Sequence, residues 1–190
     1  MILSGSAIKE YVAAGLIGVK PQFDETQLRP FGLRVHLAKE IMRPQSGLRV
    51  NLTRDDKKEH LFIKESIFRS PLVLKPGEFV LGSCIELIKM DSHILGMLDG
   101  RNTIARLGIL IHCSSNVLDG NTTEYRSIVM EIKNAGPFEV VLPYGYPIGM
   151  VLFHVNNVPA SNELVQPQYK QQKGVKGPNL KFRPPKPKSL

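Results

Sequence analysis

Arg101 and Arg106 stand five residues apart in the stretch Leu98-Asp99-Gly100-Arg101-Asn102-Thr103-Ile104-Ala105-Arg106-Leu107-Gly108, with glycines on both flanks. Guanidinium groups grip phosphate oxygens bidentately, and backbone N–H groups at a turn or short helix start add donors. Asn102 and Thr103 add neutral hydrogen bonds between the two arginines. The spacing also suits a solvated turn, because two arginines so placed are not specific on their own. Downstream, Glu131 interrupts the apolar run Ser127-Ile128-Val129-Met130-Glu131-Ile132-Lys133. Alternation with period two puts Ile128, Met130 and Ile132 on one face and Val129, Glu131 and Lys133 on the other. A carboxyl on a partly buried face is pushed toward its neutral form and becomes a proton shuttle; on an outer face it would pair with Lys133 instead. Asp119-Gly120-Asn121 signals a turn, where Asp119 binds a sugar hydroxyl, orients a water or bonds its own backbone. Together these residues point to a phosphorylated ligand and a general base.

The elements that must position them are mostly short strands. Ser6 to about Leu16 reads as an amphipathic helix, with Ile8, Tyr11, Val12 and Leu16 on one face, Ser6 as cap and Gly15 or Gly18 as terminator. After Pro21, alternating runs are broken by Pro and Gly. Leu33-Val35-Leu37 alternate; Glu78 to Ile88 follows the Lys75-Pro76-Gly77 turn; Ile109 to Cys113 is continuously apolar. Ser127 to Lys133, Phe138 to Leu142 and Ile148 to Val155 complete the pattern of an all-β barrel or sandwich. Thr53 to His60 is charged throughout and reads as an exposed loop. From Lys173 onward the chain is rich in Lys, Pro and Gly and cannot build a core.

Composition excludes several functions. The net charge is +8, but seven basic residues (Lys170, Lys173, Lys176, Lys181, Arg183, Lys186, Lys188) lie at the C-terminal end. The first 169 residues hold 18 basic against 17 acidic side chains, so the body is no nucleic-acid surface and only the basic tail is left for such a partner. No apolar run approaches the roughly 20 residues of a membrane span. Lys9 and Glu10 interrupt what would be a secretory signal. Cys84 and Cys113 lie in apolar runs and read as two buried, reduced thiols of a cytoplasmic protein. A zinc deaminase needs His-x-Glu and Pro-Cys-x-x-Cys, and neither is present; the five histidines show no close pairing either. No protein-ligated metal is expected.

The segment LDGRNTIARLGILIH resembles the Gly-Arg-Ser-Ser-x-Ala-Arg-Leu-Gly motif of the dCTP deaminase branch of the dUTPase-like family. Asp119, then Val129-Met130-Glu131, follow at matching distances, and Tyr169-Lys170-Gln171-Gln172-Lys173-Gly174 fits as well. The resemblance runs from Met1 to about Gly174. It implies a mainly β, distorted dUTPase-like barrel of the β-clip type, with a short N-terminal helix, assembled as a homotrimer with sites between subunits. Residues 1–172 would form the domain and 173–190 a flexible basic tail.

By the same resemblance the chain deaminates dCTP to dUTP and ammonia, without zinc, in pyrimidine deoxynucleotide metabolism. Glu131, Asn102 and Arg106 would act at the reacting centre, Glu131 activating the water. Arg101, Asn102, Thr103 and Arg106 would hold the triphosphate, with Mg²⁺ bridging its oxygens. Asp119 would contact the deoxyribose, the Val129 backbone the pyrimidine edge, and Tyr169 and Gln172 the nucleotide from the C-terminal segment. A dUTP diphosphatase, a bifunctional enzyme performing both steps, and a non-catalytic nucleotide-binding trimer are the alternatives. Four places depart from the family pattern. Gly32-Leu33-Arg34 replaces a Ser or Thr two residues before an Asp. Asn102 and Thr103 replace the paired serines, Gly120 replaces a proline, and Gln168 stands where lysine is frequent.

Overall fold

The computed structural model describes residues 1–52, 60–122, 124–161 and 172–179. Tyr169, Gln168, residues 180–190 of the tail, and the charged loop expected at 53–60, His60 apart, lie outside the described residues.

The chain opens with α1 (Gly5–Ala13), then β1 (Ile17–Lys20), β2 (Leu28–Arg29), β3 (Gly32–His36) and β4 (Glu40–Pro44). Next come β5 (Phe62–Ser66), β6 (Leu72–Leu74), the long β7 (Phe79–Met90) and β8 (Ile94–Gly100). A single helical turn, α2 (Asn102–Ala105), leads to β9 (Ile109–Leu110), β10 (Val117–Leu118), β11 (Arg126–Asn134), β12 (Val140–Leu142) and β13 (Pro147–Val155). Ser4, not Ser6, caps α1: its Oγ accepts from the Ala7 N–H at 3.3 Å. Gly15, at φ +73, ends the helix early, so Leu16 falls outside it and is exposed. Positive φ suits glycine because it has no Cβ. The expected strand Ile109 to Cys113 shrinks to β9, because the run turns away after Leu110; Ile111 stays buried while Cys113 is exposed, so only one of the two thiols is buried.

Among the described residues the strands form three sheets and no closed barrel, which corrects that expectation to a mainly β fold of packed sheets. One sheet runs β5-β4-β7-β11-β9, with β1 also paired to β7; the second runs β10-β8-β13-β3-β2; β12 and β6 form a separate pair. Three edges of the two large sheets end in the two-residue strands β9, β10 and β2, too short to carry a ladder onward, and the fourth is the five-residue β5. Alternation fills one core between the large sheets. Leu33, Val35 and Leu37 come from β3 and its end, Ile128, Met130 and Ile132 from β11, and Val151 and Phe153 from β13. Each such side chain contributes about 1.5–3 kcal/mol of burial. No helix among the described residues is long and apolar enough to cross a membrane.

Candidate active site

β11 carries the candidate base, Glu131. Its burial alternates as the sequence requires, with Met130 in the core and Val129, Glu131 and Lys133 on the opposite face. Toward β7 the ladder is bulged between Ser127 and Val129. On its other edge β11 pairs with β9 only at Lys133 and Asn134. Before that, the Ser127 N–H donates to the Gln172 carbonyl at 3.0 Å. Among the described residues, therefore, no strand pairs with this edge at Val129. An edge left open in this way offers peptide groups to a ligand.

Glu131 is half-buried, and its Oε2 is the one buried side-chain oxygen or nitrogen among the described residues with no hydrogen-bond partner. Burial pushes its carboxyl above the ordinary value, while the amide of Cys113, the charge of His112 and its own amide oppose that shift. Cys113 lies against it, with Sγ 3.7 Å from the Glu131 carbonyl oxygen. His112 Nε2 also stands 4.0 Å from Asp99 Oδ1, which links the surroundings of Glu131 to the strand that precedes the arginine loop. Sequence reading assigned His112 no role and used Asp99 only as part of the Asp-Gly pair before Arg101. Their neighbour relation comes from the turn between β9 and β10, and no spacing encodes it.

Beside Val129, a cavity of about 210 Å³ is lined by Asp119, Arg126, Ser127, Val129 and Gln172, with Met90 and Leu118 on its apolar wall. The Asp119 carbonyl accepts from Arg126 Nη2 at 2.8 Å. Gly120 lets the turn pass close to β8, for a Cβ there would lie 1.8 Å from the Ile94 carbonyl oxygen. Gln172 is buried, and its segment is pinned by the Gly174 N–H donating to Ser127 Oγ at 2.7 Å.

Arg101, Asn102 and Thr103 line a second cavity, of about 510 Å³, together with Asp99, Arg29 and Arg34. The two cavities share no lining residue. Arg106 lines neither: it is the C-terminal cap residue of the single-turn α2, whereas Arg101, its N-terminal cap residue, lines the second. Within one chain, then, Asp119, Val129 and Gln172 line one cavity, Arg101, Asn102 and Thr103 line another, and Glu131, on the Val129 face of β11, lines neither. Sequence reading missed Arg29 in the second group and treated Arg34 only as a departure. The alternation Leu33-Arg34-Val35, which turns Arg34 from the core, was the available signal.

Asp99 is the one carboxylate of the second cavity, and it accepts from the Gly100 N–H at 2.8 Å. Three guanidinium groups against one carboxylate suit phosphate oxygens and do not fit a divalent cation held there.

A family model described as dCTP deaminase-like matches residues 2–155. A protein of Dictyoglomus thermophilum named "dCTP deaminase, dUMP-forming" is 29% identical, covering 94% of this chain and 92% of its own. A Corynebacterium diphtheriae protein of the same name is 27% identical over 92% of this chain and 94% of the relative. The solved structure of 2'-deoxycytidine 5'-triphosphate deaminase from Agrobacterium tumefaciens superimposes with a TM-score of 0.59 at 21% identity, over 82% of this chain. This chain spans 48% of that one, and the likeness concerns the fold alone. The relatives are named for dUMP as product, which overturns the expectation that dUTP is the product released. Nothing in the arginine loop or the Glu131 strand distinguishes the two products, because both need the same grip and the same base.

Proposed function

Because the chain belongs to the dCTP deaminase-like family, we propose that it is a dUMP-forming deaminase, taking dCTP and two waters to dUMP, ammonia and diphosphate. The observation that carries this reading is Glu131: a half-buried carboxyl, raised by burial, with a buried oxygen left without a partner. Such an oxygen is costly unless a ligand or water completes it.

In this reading the pyrimidine and sugar enter the cavity beside β11. The open edge at Val129 reads the pyrimidine, and Asp119 takes the deoxyribose hydroxyl. Glu131 removes a proton from a water whose oxygen bonds to C4. The amino group of the resulting adduct takes up that proton, the C4–N bond breaks, and ammonia departs. A second water, oriented by Asp119, attacks the α-phosphorus; the bond to the bridging oxygen breaks and diphosphate leaves. Arg101, Asn102 and Thr103 hold the phosphate tail, Asn102 and Arg106 meet the reacting centre, and Tyr169 and Gln172 close on the nucleotide. Glu131 serves without zinc: Cys84 is buried against Met130 while Cys113 is exposed beside Glu131, so the thiols do not converge on one ion. Free thiols suit the cytoplasm.

The separation of the two residue groups within one chain supports a homotrimer in which the β11 half of one copy meets the arginine loop of another. Leu107 and Leu110, both exposed beside Arg106, give that loop an apolar surface for the contact.

The test is incubation of the purified protein with dCTP, following ammonia, diphosphate and the nucleotide product. Ammonia and diphosphate in equal amounts, with dUMP, are expected. Accumulating dUTP without diphosphate, or no ammonia at all, would overturn the proposal. Glu131→Gln is expected to lower ammonia release by at least about a hundredfold, the typical share of a general base.

A further inference from the structure

Arg29, Arg34 and Arg101 come from three separate elements and converge on one cavity of about 510 Å³. Strand register explains the convergence. Met150 of β13 stands opposite Arg34 of β3 on one side and Asp99 of β8 on the other. Directly opposed residues share a face, so Arg34, Met150 and Asp99 form a row across the sheet, and Arg101 follows two residues after Asp99. Arg29 stands opposite Gly32, two residues before Arg34, so it joins the same face. Gly32 itself has no room for a side chain: its φ is +127, and a Cβ would lie 2.9 Å from the Val151 carbonyl oxygen.

Among the described residues none of the three guanidinium groups has an ion-pair partner. Arg101 donates to the Pro147 carbonyl at 3.3 Å and stands over the Tyr146 ring. Burial, then the charges of Arg29 and Arg101, pulls Arg34 below the ordinary arginine value. Like charges brought together on a partly buried wall await a polyanion.

We infer that Arg29, Arg34 and Arg101 form a three-guanidinium seat for the polyphosphate tail of the nucleotide, which takes that tail in its metal-free form. The inference rests on reading Arg101 to Thr103 as the triphosphate grip, and it assigns Arg29 and Arg34 to that grip. It departs from the expectation that Mg²⁺ bridges the phosphates, because the arginines supply the neutralising charge that the ion would bring. A free triphosphate carries more negative charge than its magnesium complex and so gains more from this wall.

The experiment is calorimetric titration of the full chain with inorganic tripolyphosphate at fixed ionic strength, once in EDTA and once in excess Mg²⁺. Binding in EDTA at least as tight as in Mg²⁺ is expected. Arg34→Gln and Arg29→Gln should each weaken it by about tenfold or more, the size of one lost charge-assisted hydrogen bond. Binding that requires Mg²⁺, or that neither variant changes, overturns the inference. Arg29 is exposed, so its variant keeps the fold, and a thermal melt of Arg34→Gln separates lost binding from lost structure. The two proposals fail separately. Tripolyphosphate binding without ammonia from dCTP sinks the deaminase reading alone. Normal deamination in variants that bind tripolyphosphate like the parent sinks this one alone.

Discussion

A buried carboxylate oxygen without a partner destabilises the fold that holds it, and Glu131 keeps one. Its carboxyl is raised by burial, so the charged form is the one the folded chain disfavours. The sign follows from linkage: a raised folded-state value contributes stability at low pH, and that contribution is lost as pH rises through it. Wherever Glu131 is ionised, the folded chain carries a desolvated charge that Gln would not. Glu131→Gln is expected to raise the melting temperature near pH 7, with the gain fading as pH falls toward the ordinary glutamate value of about 4.3. Melts of parent and variant across pH check this; a variant less stable at pH 7 would mean that the carboxylate is well solvated or paired. The placement of Glu131 beside Val129 was legible from alternation alone. Arg34 beside Arg101 was not, because β3 and β8 meet only through β13, and no local pattern names the strand between them.

At the scale of elements, the arginine loop is held by a contact between two glycines. A Cβ on Gly108 would lie 2.4 Å from Gly136 Cα, and one on Gly136 would lie 2.0 Å from the Leu107 carbonyl oxygen. The Ala135 N–H donates to the Gly108 carbonyl at 2.8 Å, so the turn after α2 is clamped on the end of β11. Asn134 supports that end: it is fully buried, its Nδ2 donates to the Leu74 and Phe138 carbonyls at 2.8 and 2.7 Å, and its Oδ1 accepts from the Gly136 N–H at 3.0 Å. Gly136→Ala must push the turn away, an overpacking of about 1–3 kcal/mol. Urea unfolding is expected to show that loss, together with weaker tripolyphosphate binding although no phosphate-contacting residue has changed. Unaltered binding would show that the clamp does not set the loop. The sequence set Gly108 at the flank of the arginine stretch and located β11 to within a residue at each end, but gave Gly136 no role. It misplaced the cap of α1 and overextended β9, because two serines compete for the cap and an apolar run does not reveal where it leaves the sheet.

For the whole molecule, the separation of the two groups decides what one chain can do. Glu131 and Val129 lie on β11 of one sheet, whereas Arg101 follows β8 of the other, and Arg106 lines neither cavity. A site built between copies would join Glu131 from one chain to Arg106 from its neighbour, as a ring of identical head-to-tail contacts allows. The consequence is complementation. Glu131→Gln and Arg106→Ala chains, each expected to be inactive alone, carry their defects in opposite halves. Mixed trimers formed by co-expression then contain some sites with both native residues. Random mixing at equal amounts places a native Glu131 against a native Arg106 in about a quarter of the sites. Ammonia release near that fraction of the parent rate is therefore expected from the mixture, and none from either variant alone. A mixture as inactive as its components, in trimers verified to contain both chains, would place the whole site within one chain and refute the assembly.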